Sequence, residues 1–301
     1  MIEDRSRLAT ERDNPRTADI DALDARAIVE RLHVEDRRAF EAVGEVLDAV
    51  AEAAERVVEA LGAGGRLIYV GAGTSGRLGA LDAAEIPPTF GVDPSTVQAA
   101  IAGGPVALTR AVEGAEDDAG AGAREMAERD VGPADVVFGI AAGSTTPFVL
   151  GALEEARARG AATVFLTCVP SEDVPAALDV DVLIAPRTGP EAITGSTRMK
   201  AGTATKLILN AVTTTSMVRL GKTYGNRMVD LRVTSEKLED RGRRILRDLL
   251  GIGYEEAGTL LGAAGGRVKT ALVMGRLGVE RKEAERRLED AGGFIRRALE
   301  P

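Results

Sequence analysis

The chain has 301 residues, a formal net charge of −9, 45% apolar residues and only 3% aromatic ones. That length suffices for one sizeable α/β domain with a small addition, and the acidic balance excludes non-specific binding to nucleic acid or anionic membranes. A single cysteine, Cys168, excludes an intramolecular disulfide and fits the cytoplasm, while a single histidine, His33, leaves no His/Cys set for zinc.

The opening Met1-Ile-Glu-Asp-Arg5 lacks the apolar core of a signal peptide, and no apolar run reaches membrane-spanning length. Residues 1–19 are charged and irregular, with Asn14-Pro15 as a turn signal. Phe40, Val43, Leu47, Val50, Ala54, Val57 and Leu61 then recur at helical spacing and predict one long amphipathic helix, stopped by Gly62 and Gly64-Gly65. Such a helix packs either on its own sheet or on a partner subunit. Five short apolar runs follow: Arg66–Val70, Val97–Ile101, Asp135–Ile140, Ala162–Thr167 and Asp181–Ala185. They are nearly continuous rather than alternating, which predicts a mainly parallel sheet buried between helices. Ala201 to about Leu220 reads as a helix, and Lys237–Pro301 as a small helical appendage broken by glycines. The fold class is α/β, with any ligand expected at the carboxyl ends of the strands.

Three post-strand loops carry the chemistry. Loop one, Gly71-Ala-Gly73-Thr74-Ser75-Gly76-Arg77, joins a strand to a helix, and its glycines and hydroxyls suit a phosphate at the helix N-terminus. Loop two, Ala141-Ala-Gly143-Ser144-Thr145-Thr146-Pro147, sets three hydroxyls before a proline suited to the first turn of a helix. Loop three, Gly189 to Thr203, brings Glu191, Ser196, Thr197, Arg198 and Lys200, the last two supplying positive charge in an acidic protein. Serines and threonines are also ordinary helix caps, yet three such loops point to a shared anionic ligand.

Glu85 precedes Ile86-Pro87-Pro88, and proline disfavours helix in the residue before it, so the helix is expected to end near Glu85. A carboxylate there faces the negative end of the helix dipole, which favours the protonated form a general acid needs. Glu113 and Glu116 are three residues apart and share a face if their segment is helical; spacing leaves open which of them acts.

These words together resemble the N-acetylmuramic acid 6-phosphate etherases. Loop one through Glu85-Ile-Pro-Pro-Thr-Phe-Gly91, Ala111-Val-Glu-Gly-Ala-Glu-Asp117, Thr194-Gly-Ser-Thr-Arg-Met-Lys-Ala-Gly-Thr203, Tyr224-Gly-Asn-Arg-Met-Val-Asp230 and Gly292-Gly-Phe-Ile-Arg296 carry the likeness, as does Leu8-Ala-Thr-Glu-Arg-Asp-Asn-Pro15. The resemblance implies a three-layer sugar isomerase (SIS) fold, a five-stranded parallel sheet between helices, plus a small helical C-terminal domain. It divides the chain into an N-terminal helical segment at 1–61 that packs on the SIS domain or a dimer partner, a phosphosugar domain at 62–230 and a helical domain at 231–301. It implies a cytoplasmic homodimer with active sites shared between subunits, acting on a phosphorylated amino sugar without metal or cofactor. The family's two catalytic carboxylates fall on Glu85 and Glu116. Gly73, Thr74, Ser75, Gly76, Arg77, Ser144, Thr145, Thr146, Glu191, Ser196, Thr197 and Lys200 fall on substrate-binding positions.

Two segments depart from the family. Loop two usually reads Ala-Ala-Ser-Gly-Arg-Thr-Pro, so here serine and glycine have exchanged places and Thr145 replaces an arginine. Cys168-Val-Pro-Ser-Glu-Asp173 replaces the usual Asn-Pro-Gly-Ser wording. Two other functions share the same cradle: an aldose–ketose isomerase, which needs no acid for a leaving group, and a non-catalytic phosphosugar sensor. A DNA-binding sensor is excluded, since residues 1–60 hold nine arginines against sixteen carboxylates.

Overall fold

The computed structural model describes residues 9–230 and 235–300. The start of the irregular opening stretch, residues 1–8, lies outside them, as do residues 231–234, where the predicted C-terminal domain begins, and Pro301. Helices α1 (Ala25–Gly44) and α2 (Leu47–Gly62) precede the first strand. Then come β1 (Leu67–Gly71), α3 (Gly73–Phe90), β2 (Val97–Ile101), α4 (Ala119–Glu128), β3 (Val136–Ile140), α5 (Pro147–Ala158), β4 (Ala162–Leu166), β5 (Val182–Ile184) and α6 (Lys200–Arg219). A short hairpin, β6 (Thr223–Tyr224) and β7 (Arg227–Met228), leads to α7 (Glu236–Leu250), α8 (Tyr254–Ala263), α9 (Val268–Leu277), α10 (Arg281–Asp290) and α11 (Ile295–Ala298).

The described residues form two compact units. One holds the residues up to Ala84 together with Ser95–Thr213; the other holds Glu85–Pro94 and those from Thr214 on. In the first, the five expected strands form one parallel sheet ordered β2-β1-β3-β4-β5. Every residue of β1 and β3 is buried, as strands covered on both faces must be. On one face Ile68, Val70, Val137 and Phe165 pack with Met126 of α4 and Phe148, Val149 and Leu153 of α5. On the other, the rings of Tyr69 and Phe138 meet edge to face at 5.5 Å. Helix α3 comes onto that face through Gly79, where a Cβ would lie 2.9 Å from Tyr69 Cβ. The strand order carries the functional consequence. The chain leaves β1 for β2 on one side and returns to β3 on the other, so a crevice opens at the carboxyl ends of β1 and β3. Loops one and two follow those two strands.

The second unit contains the C-terminal helices around Leu246, Leu261, Val268 and Leu272. Ser235 caps α7, its side chain accepting the Leu238 N–H, and α7 and α9 end at Gly251 and Gly278, both with left-handed backbones. Glycine therefore punctuates the helices as the sequence predicts. Arg296 stands over the Tyr224 ring at 5.2 Å, tying α11 to the hairpin.

Two expectations are corrected. The long helix from Phe40 is two helices, because at Gly44 the backbone tightens: Glu45 donates to Ala42 and Val46 to Val43 before α2 begins. Helix α3 does not end at Glu85 but runs through Pro87 and Pro88 to Phe90. Proline's fixed φ fits a helix, and the terminator is Gly91, whose backbone is left-handed and whose Cβ would fall 2.2 Å from the Asp230 carbonyl oxygen. The segment around Asn14-Pro15 is irregular and turns there, as expected, with the Thr17 N–H on Asn14 O at 3.1 Å, and Thr10, Asn14 and Thr17 are buried.

Candidate active site

Loop one is a turn only glycine can make. A Cβ on Gly71 would lie 2.6 Å from Gly76 N, and one on Gly76 would lie 2.7 Å from Gly71 O. The chain thus enters α3 with the N–H groups of Gly73, Thr74 and Ser75 facing no acceptor among the described residues. Thr74 and Ser75 are half-buried, and their hydroxyls have no partner there either. Free amides, free hydroxyls and a helix N-terminus are the groups that suit an anion.

Arg77, one turn on, donates from Nε to Ala107 O at 2.9 Å and from Nη2 to Arg110 O at 3.2 Å. It thereby holds the segment after β2 against α3. Between them opens a cavity of about 400 Å³ lined by Gly73, Arg77, Ala107, Val112, Glu113 and Glu116, a size suited to a small ligand. Glu116 is exposed in a tight turn, Ala115–Asp117. The helix that would align Glu113 with Glu116 does not form, because Gly114 is left-handed at φ +73°. Glu113, Glu116 and Arg77 nonetheless all line this one cavity. A comparable cavity of about 460 Å³ lies between α5 and residues 175–179. Its cation, Arg157, is engaged by Asp179 at 2.6 Å, which leaves little for a phosphate.

In loop two Ser144 is fully buried at φ +62°, and its hydroxyl donates to Asp173 O at 3.1 Å. It therefore braces the loop, whereas Thr145 and Thr146 are half-buried with hydroxyls free among the described residues. In loop three Ser196 and Thr197 are half-buried and Arg198 is exposed. Thr197 O accepts the Gly202 N–H at 3.0 Å, and a Cβ on Gly202 would stand 3.6 Å from Thr74 Cγ2. Loops one and three therefore meet.

The structure turns Glu191 and Lys200 inward. Glu191 accepts the N–H groups of Lys200 and Ala201, both at 2.9 Å, and so caps α6. Burial raises its carboxyl above the usual range, and those two N–H groups hold it down only in part. Lys200 Nζ is buried 2.7 Å from Glu35 Oε2. The first amides of α6 and its lysine are thus already partnered, unlike those at the start of α3. Glu85, assigned to the second unit, is exposed on α3, about three turns beyond Thr74. Glu35 and the buried Tyr69–Asp82 hydrogen bond of 2.9 Å were not singled out by the sequence. For Glu35 a signal exists, since it shares one stripe of α1 with the buried Ala39, Ala42 and Val43. Among the described residues no group of three His, Cys, Asp or Glu side chains is placed to hold a metal ion.

The chain is 51% identical over 296 residues to the N-acetylmuramic acid 6-phosphate etherase of Synechococcus sp. (strain CC9605), covering 98% of this chain and 93% of that one. It is 51% identical to the protein of that name from Gloeobacter violaceus, covering 99% and 97%. The chain belongs to the N-acetylmuramic acid 6-phosphate etherase family. The Salinibacter ruber etherase is likewise 51% identical over 301 residues, covering 100% of this chain and 96% of its own. Residues 49–157 match the family described as glucokinase regulatory protein N-terminal SIS domain. Among solved structures, a phosphoheptose isomerase from Neisseria gonorrhoeae aligns with a TM-score of 0.48 at 20% identity, over 64% of this chain and 98% of that one.

The two departures from the usual etherase wording touch each other. Ser144 stands where the resemblance sets a glycine, and the serine hydroxyl donates to Asp173 O in the second of these segments. Cys168, which opens that segment, donates its N–H to Ala142 O at 3.0 Å. Both contacts use backbone atoms of the second segment.

Proposed function

We propose that this protein cleaves the D-lactyl ether of N-acetylmuramate 6-phosphate, giving N-acetylglucosamine 6-phosphate and D-lactate. The observation that carries the reading is the cavity that joins the phosphate-suited start of α3 and Arg77 to Glu116, in a chain half identical to etherases along its whole length. The phosphate is assigned to the free N–H groups of α3 with Thr74, Ser75, Ser196 and Thr197, and the sugar to Thr145, Thr146 and Arg77. Glu191 and Lys200 hold loop three from behind rather than touching substrate.

The reaction is elimination followed by hydration. Ring opening exposes an aldehyde at C1, which acidifies the C2 hydrogen. Glu116 takes that proton, the C2–C3 double bond forms, and the C3–O bond breaks as Glu85 protonates the departing lactate oxygen. Water then adds at C3 and a proton returns to C2, so one water is consumed and both carboxylates are restored. The protein is read as a cytoplasmic homodimer that shares its sites between subunits in the breakdown of cell-wall amino sugars. Uncovered Val29 and Phe40, on one face of α1, support the assembly.

D-lactate release from N-acetylmuramate 6-phosphate tests the reading. Wild type should turn over, and Glu85→Gln and Glu116→Gln should each lose about 10²- to 10⁴-fold in kcat. The match to a glucokinase regulatory protein domain and the missing loop-two arginine favour a second reading, a non-catalytic phosphosugar sensor. Phosphosugar binding without any turnover would establish that one instead. An isomerase would survive Glu85→Gln.

A further inference from the structure

The opening motif around Asn14-Pro15 has no part in the reaction just described, yet it grips loop three at four points. Asn14 Nδ2 donates to Pro190 O at 3.1 Å, and Thr17 Oγ1 donates to Ala192 O at 2.8 Å. Thr194 Oγ1 donates to Asp13 Oδ1 at 3.1 Å. Glu11 stands over Gly195, where a Cβ would lie 3.2 Å from Glu11 Oε2.

Beneath this grip lies Glu35 of α1, with a side chain only 1% exposed. Its two oxygens accept from Asn14 Nδ2 at 2.8 Å, Arg16 Nε at 2.5 Å, Arg16 Nη2 at 2.9 Å and Lys200 Nζ at 2.7 Å. One carboxylate thus joins three elements: the N-terminal segment, α1 and the first residue of α6. A buried ion pair is weak evidence for stability, because desolvation offsets its attraction. Here it adds register, since all four donors reach Glu35 only when the three segments are in place. Loop three leads into that first turn of α6, where Thr197 O holds Gly202 against Thr74.

We infer that residues 11–17 form a strap, locked by Glu35, that positions Ser196 and Thr197 for the phosphate of the ligand. The inference rests on reading loops one and three as a phosphosugar cradle. Asn14, Arg16, Thr17 and Glu35 are positioning residues; their polar atoms meet protein partners. Loosening a phosphate-holding loop weakens ground state and transition state alike, so KM should rise while kcat holds. A merely structural segment would lower Tm and leave KM in place.

The test uses Asn14→Leu and Thr17→Val, which keep bulk and remove one donor each, on the full chain. Expected are a rise of about tenfold in KM for D-lactate release and in the calorimetric Kd for N-acetylglucosamine 6-phosphate, with kcat within about threefold. Hydrogen exchange should quicken at residues 190–197. Unchanged KM and Kd in both variants, whatever their Tm, would overturn the strap. Should either variant fail to fold, Arg16→Met, which removes the strap's own charge from Glu35 and leaves Lys200 to neutralise it, carries the same expectations. Wild type that binds N-acetylglucosamine 6-phosphate but releases no D-lactate sinks the etherase reading alone; Kd and exchange then judge the strap. Folded wild type that binds no phosphosugar sinks both.

Discussion

Ser144 holds a left-handed backbone at φ +62°, a conformation that favours glycine. Such a conformation costs a residue with a Cβ about 1–2 kcal/mol, and the hydrogen bond to Asp173 O offsets about 1 kcal/mol of it. Ser144→Ala keeps the strain and loses the bond; Ser144→Gly loses both. Urea denaturation should therefore find Ser144→Gly more stable than Ser144→Ala by about 1 kcal/mol. At Glu35 two effects also oppose. Burial works to raise its carboxyl, and hydrogen bonds from Arg16, Lys200 and Asn14 outweigh it, bringing it from 4.5 down to about 2. A depressed carboxyl stabilises the fold above its unfolded value and loses that contribution as pH falls toward its folded value. Glu35 should thus contribute about 3 kcal/mol that disappears between roughly pH 4.5 and pH 2. In Glu35→Gln the fall in stability across that window should become shallower, although Asp135 and Asp181, also lowered, preserve part of it. Stability curves for the two proteins between pH 2 and 7 check this. Sequence reading passed over Glu35 because Glu35-Asp36-Arg37-Arg38 looks like a solvated charge run. Its place on the buried stripe of α1 is the one hint the sequence holds, and the donors Asn14, Arg16 and Lys200 that explain a buried carboxylate come from other segments.

At the scale of elements, the strands and their loops were legible because continuous apolar runs ending in glycine and hydroxyls have few other uses. Helix limits were not. Apolar spacing carries on unbroken from Val43 to Leu47 and Val50, so periodicity cannot see the break between α1 and α2. Prolines 87 and 88 suggested an end that Gly91 actually provides. Glu191 and Lys200 were read as substrate contacts from their charge, but charge alone does not say whether a side chain faces a ligand or, as here, protein partners. The contact of α4 with α5 was invisible for a related reason, since it depends on what two glycines lack. A Cβ on Gly122 would fall 1.9 Å from Phe148 O, and one on Gly151 would fall 2.2 Å from Ala119 O. Both clashes are with backbone, so the helices must separate to admit a methyl group. Gly151→Ala should destabilise by about 1–3 kcal/mol, read as a lower denaturation midpoint at unchanged m.

For the whole molecule, assembly is the question with the largest leverage, because the proposed sharing of sites between subunits would make activity depend on it. Val29 and Phe40 are 62% and 67% exposed on α1, eleven residues and so about three turns apart, which puts them on one face. Leu47, 57% exposed, opens α2 just beyond. Single exposed apolar residues are normal on any surface; a row of them on successive helices is what an interface leaves uncovered. In a twofold contact each residue acts twice. Burying one Phe is worth about 1.5–3 kcal/mol, so its loss from both sides of a dimer removes about 3–6 kcal/mol. Phe40→Glu should then weaken the dimer by about a hundred- to ten-thousand-fold, apart from any added repulsion between acidic copies. Sedimentation over a wide concentration range reads this directly, with wild type dimeric where the variant is monomeric. D-lactate release should fall with the dimer fraction and recover as concentration rises. A Phe40→Glu monomer with full activity would place the whole site within one chain, and an unchanged dimer would move the interface off α1.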